Sequence, residues 1–198
     1  MNLYRELAEY TGESTDYLKR ICPKAAFGLV WEWHTKKDVL DFYRTTDLYL
    51  YDLTHYQQDS LGEKFYGNYK VSGNGLDLGG GIGEYTIQAI KQGCEMDYVD
   101  VDGKTMDYAK WRFRKHNVEP KIHTEEFKID KDYDFVVAMD VFEHLENPQE
   151  RIEEIAQHTK LLIANPDQVR YNDLYPMHIS LYDLTPYFEQ HGCLWYKK

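Results

Sequence analysis

Residues 76–84 read Leu-Asp-Leu-Gly-Gly-Gly-Ile-Gly-Glu. Gly79, Gly80, Gly81 and Gly83 strip side chains from a tight turn that leaves a short apolar run, so a ligand can lie against bare backbone. Charge narrows the chemistry. A dinucleotide fingerprint counted from Gly79 requires glycine at 84, where this chain has Glu84, and Asp77 stands just upstream. Two carboxylates repel the pyrophosphate that otherwise docks on helix amides. No Lys-Ser/Thr pair follows to make a triphosphate loop. A positively charged ligand suits the turn better.

Asp100 closes the next apolar run, after Tyr98-Val99. A carboxylate there can accept hydrogen bonds from both hydroxyls of a ribose. A nucleoside that also carries a cation meets both demands, as S-adenosylmethionine does with its sulfonium and amino groups.

The elements that must position these residues follow from hydropathy. From Gly75 onward, short apolar runs (75–78, 96–100, 121–123, 134–139, 161–164) alternate with longer amphipathic stretches (85–91, 104–116, 149–158). That alternation implies right-handed crossovers and an α/β, doubly wound, mostly parallel sheet. Ligands in such sheets bind outside the carboxyl ends of the strands, where strand order reverses. Upstream, Leu3, Leu7 and Tyr10, then Tyr17, Leu18 and Ile21, then Val39, Leu40, Phe42 and Tyr43 recur at helical spacing. Thr35 with Asp38 resembles a capping box. Residues 1 to about 60 are therefore expected to form three short helices, within an N-terminal helical cap of residues 1–70, and residues 71–198 the ligand-binding domain. The glycines at 62, 67 and 73 mark the loop between them.

Composition excludes several classes. The 198 residues carry a net charge of -11, from 23 basic and 34 acidic side chains, so no nucleic-acid partner is expected. No run approaches the roughly 18 apolar residues that cross a bilayer, Ala25–Trp31 being the longest, so no membrane partner is expected. The N-terminus lacks the apolar core of a signal peptide. Cys22, Cys94 and Cys193 are odd in number and without paired spacing, which points to reduced thiols and a cytoplasmic location. Lys110, Arg112, Arg114 and Lys115, interleaved with Trp111 and Phe113, read as a solvated basic face backed by two core aromatics.

Three motifs together resemble the class I S-adenosylmethionine-dependent methyltransferases. They are Leu76-Asp-Leu-Gly-Gly-Gly-Ile-Gly83, Val99-Asp-Val-Asp-Gly-Lys-Thr-Met-Asp-Tyr-Ala109 and Tyr133-Asp-Phe-Val-Val-Ala-Met-Asp-Val-Phe-Glu-His-Leu145. Their order and spacing cover roughly residues 74–165. The Glu-His-Leu run resembles the branch containing quinone-biosynthesis, sugar and other small-molecule enzymes. The resemblance implies a Rossmann-like fold and transfer of a methyl group to oxygen or nitrogen of a small-molecule acceptor. It implies that Asp77, Gly79, Gly80, Gly81 and Gly83 line the methionine part of the cofactor, with Asp100 at the ribose and Val101 beside the adenine. Glu125 or Glu126, the latter with Phe127 beside it, would meet the adenine amino group, and Asp140 and Val141 would lie near the sulfonium. The rival readings are a silent binding protein of the same fold, a methyltransferase acting on protein or RNA, and a dehydrogenase.

Methyl transfer is an in-line displacement, so positioning and exclusion of water contribute most, and a base serves only if the acceptor must lose a proton during attack. His178 and His144 are the candidates, with His34 and His55 weaker. Asp140, Asn165 and Asp167 offer oxygen ligands that suit Mg²⁺. Asn165-Pro-Asp reads more simply as a strand-ending turn, and no metal is expected. At least one of Tyr43, Tyr49, Tyr51 and Tyr56 is expected in the acceptor pocket. The family ends with a helix and two strands, whereas here 181–190 reads as a helix and 193–196 as a single strand. A missing final strand, and hence a homodimer or an absent tail, is the expectation.

Overall fold

Strands buried on both faces read as near-continuous apolar runs, as Phe135–Ala138 and Leu161–Ala164 do here, whereas Lys121–His123 at the sheet edge is largely exposed. The computed structural model describes residues 2–36, 38–60, 70–165 and 176–198. The strands are β1 (Asn74–Leu78), β2 (Glu95–Val99), β3 (Lys121–His123), β4 (Phe135–Ala138), β5 (Leu161–Ala164), β6 (Phe188–His191) and β7 (Leu194–Lys197). They form one sheet in the order β3-β2-β1-β4-β5-β7-β6. The first five are parallel, and β7 enters antiparallel between β5 and β6.

Helices Glu84–Lys91, Lys104–His116 and Pro148–His158 follow β1, β2 and β4; they are α6, α7 and α8 below. Side chains alternate across the sheet. Val136, Ala138 and Leu162 pack with Ile152 and Ile155 of α8, whereas Phe135, Val137 and Ile163 pack with Ala89 of α6. Strand order reverses between β1 and β4, which puts the turn after Leu78 at the crevice.

The C-terminus corrects the sequence reading. Residues 181–190 form no helix: Tyr182 and Leu184 enter the core at a spacing of two, and Asp183 caps a turn by accepting from the amide and hydroxyl of Thr185. Pro186, which removes a donor, lies in the middle of that stretch. Gly192, at φ +66, then turns β6 into β7. The described residues supply seven strands to the sheet, which corrects the expectation of a missing final strand.

Among the described residues, five α-helices, not three, precede the sheet: α1 (Leu3–Thr11), α2 (Thr15–Ile21), α3 (Ala25–Trp33), α4 (Val39–Thr45) and α5 (Leu48–His55), which runs on into a π turn (Tyr56–Ser60). Sequence periodicity missed α3 because most of its residues are apolar, which leaves no stripe to detect. Asp38 itself caps α4, accepting from the Asp41 amide at 2.8 Å, while the Thr35 hydroxyl donates to the Glu32 carbonyl at the end of α3. The capping box is therefore replaced by a single-residue cap.

The basic face on α7 is also corrected. Arg112 is 0% exposed. Its guanidinium donates to Glu6 of α1 at 2.8 Å, to the Ile82 carbonyl of the glycine turn at 2.6 Å, and to Glu84 at the start of α6. Leu3, Leu7, Leu18, Cys22 and Leu50 of the helical segment share a hydrophobic cluster with Ile82 and Tyr108. The helices thus dock directly on the turn.

Candidate functional site

The register aligns Leu78 with Val99 and Asp77 with Val137, so the residues that leave β1, β2 and β4 emerge on one edge of the sheet. They line a cavity of about 730 Å³, a size that suits a small-molecule ligand. Its floor is Asp77, Gly79, Gly80, Gly81, Asp100, Val101, Asp140 and Val141; its roof is Tyr43, Tyr49, Leu53, Tyr56 and Gln57 from the helical segment.

The glycines are needed for two reasons. Gly79 and Gly81 have φ of +65 and +53, a region in which side chains are strained. A Cβ on Gly79 would meet Val141 at 2.6 Å, and one on Gly80 would meet Tyr98 at 2.5 Å. Gly83, at φ +75, serves packing as well. Its Cβ would meet Phe113 at 2.5 Å, and it is not among the residues that line the cavity.

Asp100 fastens this turn to β2. Its two oxygens accept from the amides of Gly81 at 2.6 Å and Val101 at 2.7 Å. A carboxylate has about four lone-pair sites, so acceptor capacity remains for a ligand. Burial pushes its pKa up to about 6 despite both amides. Asp77 accepts from the amide and hydroxyl of Thr86, yet burial pushes its pKa up to about 7. Glu84, read in the sequence as facing the ligand, is instead engaged by Arg112.

Glu125, not Glu126, lines the cavity. It accepts from the Asp102 amide at 3.1 Å and pairs with Arg44, whereas Glu126 is exposed. Phe127 packs on the core and on His123, with ring centroids 4.2 Å apart, and is not a lining residue. Tyr51 likewise packs on the helical core beside Leu50 rather than into the cavity. Leu53 and Gln57 were missed, although Tyr49, Leu53, Tyr56 and Gln57 fall at i, i+4, i+7 and i+8, one face of a helix.

The two histidines lie together at the end of β4. Among the described residues, His144 lines the cavity, while His178 is buried and packs edge-on against it with ring centroids 4.7 Å apart. His144 Nδ1 is 3.1 Å from the Met177 carbonyl and 2.8 Å from the Tyr43 hydroxyl. A carbonyl only accepts, so Nδ1 carries the hydrogen and Nε2 keeps its lone pair. Burial and the neighbouring His178 push the His144 pKa down to about 3, which makes it a poor general base.

Asp140 takes φ +53 and is tied to β5: its amide donates to Asn165 Oδ1, and Asn165 Nδ2 donates back to Asp140 Oδ1. Asp140 also accepts from Tyr56. This mutual pairing holds together two of the three residues that the sequence offered to Mg²⁺. Asp167, the third of that set, lies outside the described residues.

The profile of the family described as "Methyltransferase domain" matches residues 49–196. No curated protein matches the chain. Among solved structures, a S-adenosylmethionine-dependent methyltransferase from Clostridium acetobutylicum is 19% identical with a TM-score of 0.44, over 52% of this chain and 46% of that one. Residues 961–1257 of StiE O-MT are 21% identical, TM-score 0.46, over 54% of this chain and 43% of that one. The glycopeptide N-methyltransferase MtfA complexed with sinefungin is 19% identical, TM-score 0.40, over 50% of this chain and 47% of that one. The match thus spans less than half the length of each of these three proteins. The family profile, by contrast, runs from α5 through β7, and so the chain belongs to the methyltransferase-domain family, in the class I form associated with S-adenosylmethionine.

Proposed function

We propose that the protein transfers the methyl group of S-adenosylmethionine to an oxygen or nitrogen of a small-molecule acceptor. The observation that carries this reading is the charge of the cavity. Among the described residues its lining holds eight carboxyl groups (Asp38, Asp77, Asp100, Glu125, Asp140, Glu146, Glu150, Glu154) against two guanidiniums, Arg44 and Arg151. Such a lining favours a cationic ligand and disfavours a diphosphate.

When bound, the cofactor supplies an electrophilic methyl on sulfur. The chain's part is to hold and orient. Asp100 receives the ribose, Val101 packs beside the adenine, and Glu125 faces the base. The backbone of Gly79, Gly80 and Gly81 lies along the methionine part, with Asp77 toward its amino group. Asp140 and Val141 border the sulfonium. Tyr43, Tyr49 and Tyr56 close the acceptor side and exclude water. Their electron-rich rings suit a neighbouring cation. Gln57, whose buried Oε1 has no hydrogen-bond partner among the described residues, offers the acceptor a polar contact. A cytoplasmic setting is supported by three buried cysteines with no disulfide among them. No helix among the described residues is long and apolar enough to cross a membrane.

Calorimetric titration tests the reading. S-adenosylhomocysteine is expected to bind at one site per chain and NAD not at all; the reverse result overturns it. Methyl transfer to RNA or protein substrates, with none to small molecules, would reassign the acceptor.

Two variants probe the floor. Asp100→Ala is expected to weaken cofactor affinity by about 1.5–3 kcal/mol, the range for hydrogen bonds to a charged group, or roughly 10–150-fold by titration. Affinity for S-adenosylmethionine should also rise with pH. Asp77, pushed up to about 7, is mostly protonated below that pH and gains its charge above it, and only the charged form attracts a cation. Titrations at about pH 5.5 and pH 7.5 should show this rise, and Asp77→Asn should reduce it, leaving the part due to Asp100, whose pKa lies at about 6.

A further inference from the structure

Among the described residues, Glu143 is buried with both carboxylate oxygens lacking a side-chain partner. Its side chain is 1% exposed, and apart from its own amide nothing among the described residues donates to either carboxylate oxygen. A buried carboxylate without partners is costly, and such groups are found paired or coordinating a metal. Its neighbours have a matching chemistry. Glu143, His144 and His178 each present a ligand atom, and these atoms all lie within 4.8 Å of one another.

The backbone builds this cluster. The Glu143 carbonyl accepts from the amides of Ile179 at 2.8 Å and Ser180 at 3.1 Å, which clamps the segment after β5 to the turn after β4. Met177, one residue before His178, is buried against Leu29 and Phe42 of the helical segment. Its carbonyl holds the His144 Nδ1 hydrogen, so the lone pair on Nε2 is left for a ligand. Metal-bound histidines are oriented in this way, by a carbonyl on the opposite ring nitrogen.

We infer that Glu143, His144 and His178 form a site for a divalent transition metal at the acceptor end of the cavity. Two imidazoles with one carboxylate suit zinc, cobalt, iron or manganese better than magnesium, whose ligands are mostly oxygens. Three protein ligands leave coordination positions open, and His144 places the ion at the cavity wall. There it serves as a Lewis acid for an acceptor hydroxyl, a role that rests on the methyltransferase reading. The coordinated hydroxyl loses its proton to solvent as the acceptor enters, before the filled site excludes water. Its oxygen then forms a bond to the methyl carbon as the carbon–sulfur bond breaks. The electron pair stays on sulfur, which leaves as a neutral thioether. A base on His144, already disfavoured by its low pKa, is not required.

Cobalt(II) titrated into chelator-stripped protein, without cofactor, provides the test. One equivalent is expected to bind with a visible absorption band, and Glu143→Gln and His178→Asn should each weaken binding by at least about tenfold. Circular dichroism confirms that each variant is folded. If either fails to fold, manganese(II) bound to the unaltered protein is read by electron spin-echo for coupling to imidazole nitrogen. Coupling sustains the inference, and its absence overturns it. No saturable binding of cobalt, zinc or manganese at millimolar metal, or unchanged affinity in both folded variants, also overturns it. S-adenosylhomocysteine binding is measured separately on the same samples. Cofactor binding without metal binding defeats only this inference, whereas metal binding without cofactor binding defeats only the proposed function.

Discussion

Arg112→Met should lower the stability of the folded chain by about 3–5 kcal/mol, the cost of removing one partner from a buried charge network. The substitution keeps an aliphatic side chain of similar reach and leaves Glu6 and Glu84 buried, at 5% and 6% exposure, without their cation. It also takes the donor from the Ile82 carbonyl. His116, 3.0 Å from Glu6, relieves that carboxylate only in part. For a chain of this size the loss corresponds to a fall in Tm of roughly 6–20 °C. Neutralising the whole set, as Glu6→Gln with Glu84→Gln and Arg112→Met, should restore most of it, because a buried network can be replaced by neutral groups at little cost. Thermal and urea unfolding measure both. A loss under about 1 kcal/mol in the single variant would mean that solvent reaches the network.

Gly81→Val should abolish cofactor binding while leaving a folded protein. The position has φ +53, where a β-branched side chain is an outlier. A Cβ there stands 3.0 Å from Leu53 Cδ1, on the cavity side of the turn. The same residue donates its amide to Asp100, so strain at Gly81 also disturbs the carboxylate assigned to the ribose. Gly81→Ala is the graded control: the end of Leu53 can give way, and a weakened but measurable affinity is expected. Calorimetry with S-adenosylhomocysteine reads both, and full affinity in the valine variant would remove the turn from the site.

The parallel sheet, its alternation with helices and the glycine turn were legible in the sequence, because each depends on local patterns: apolar runs of strand length, amphipathic stretches and side chains absent where a turn is tight. Asp100 was legible for the same reason, as the residue that ends a run. What the sequence could not supply was pairing over distance. Arg112 looks like one charge in a basic stretch until Glu6 and Glu84 close on it from elements 106 and 28 residues away. Glu125 and Glu126 are chemically equivalent in the chain, and only the course of the loop after β3 puts one at the cavity and the other in solvent. His144 and His178 are separated by more than thirty residues, and only the docking of the post-β5 segment onto the Glu143 carbonyl makes them neighbours. Likewise β7 reaches its place between β5 and β6 through a turn at Gly192, which no pattern of apolar residues announces. Local sequence determined which backbone shapes form; burial and long-range hydrogen bonds determined which side chains they bring together.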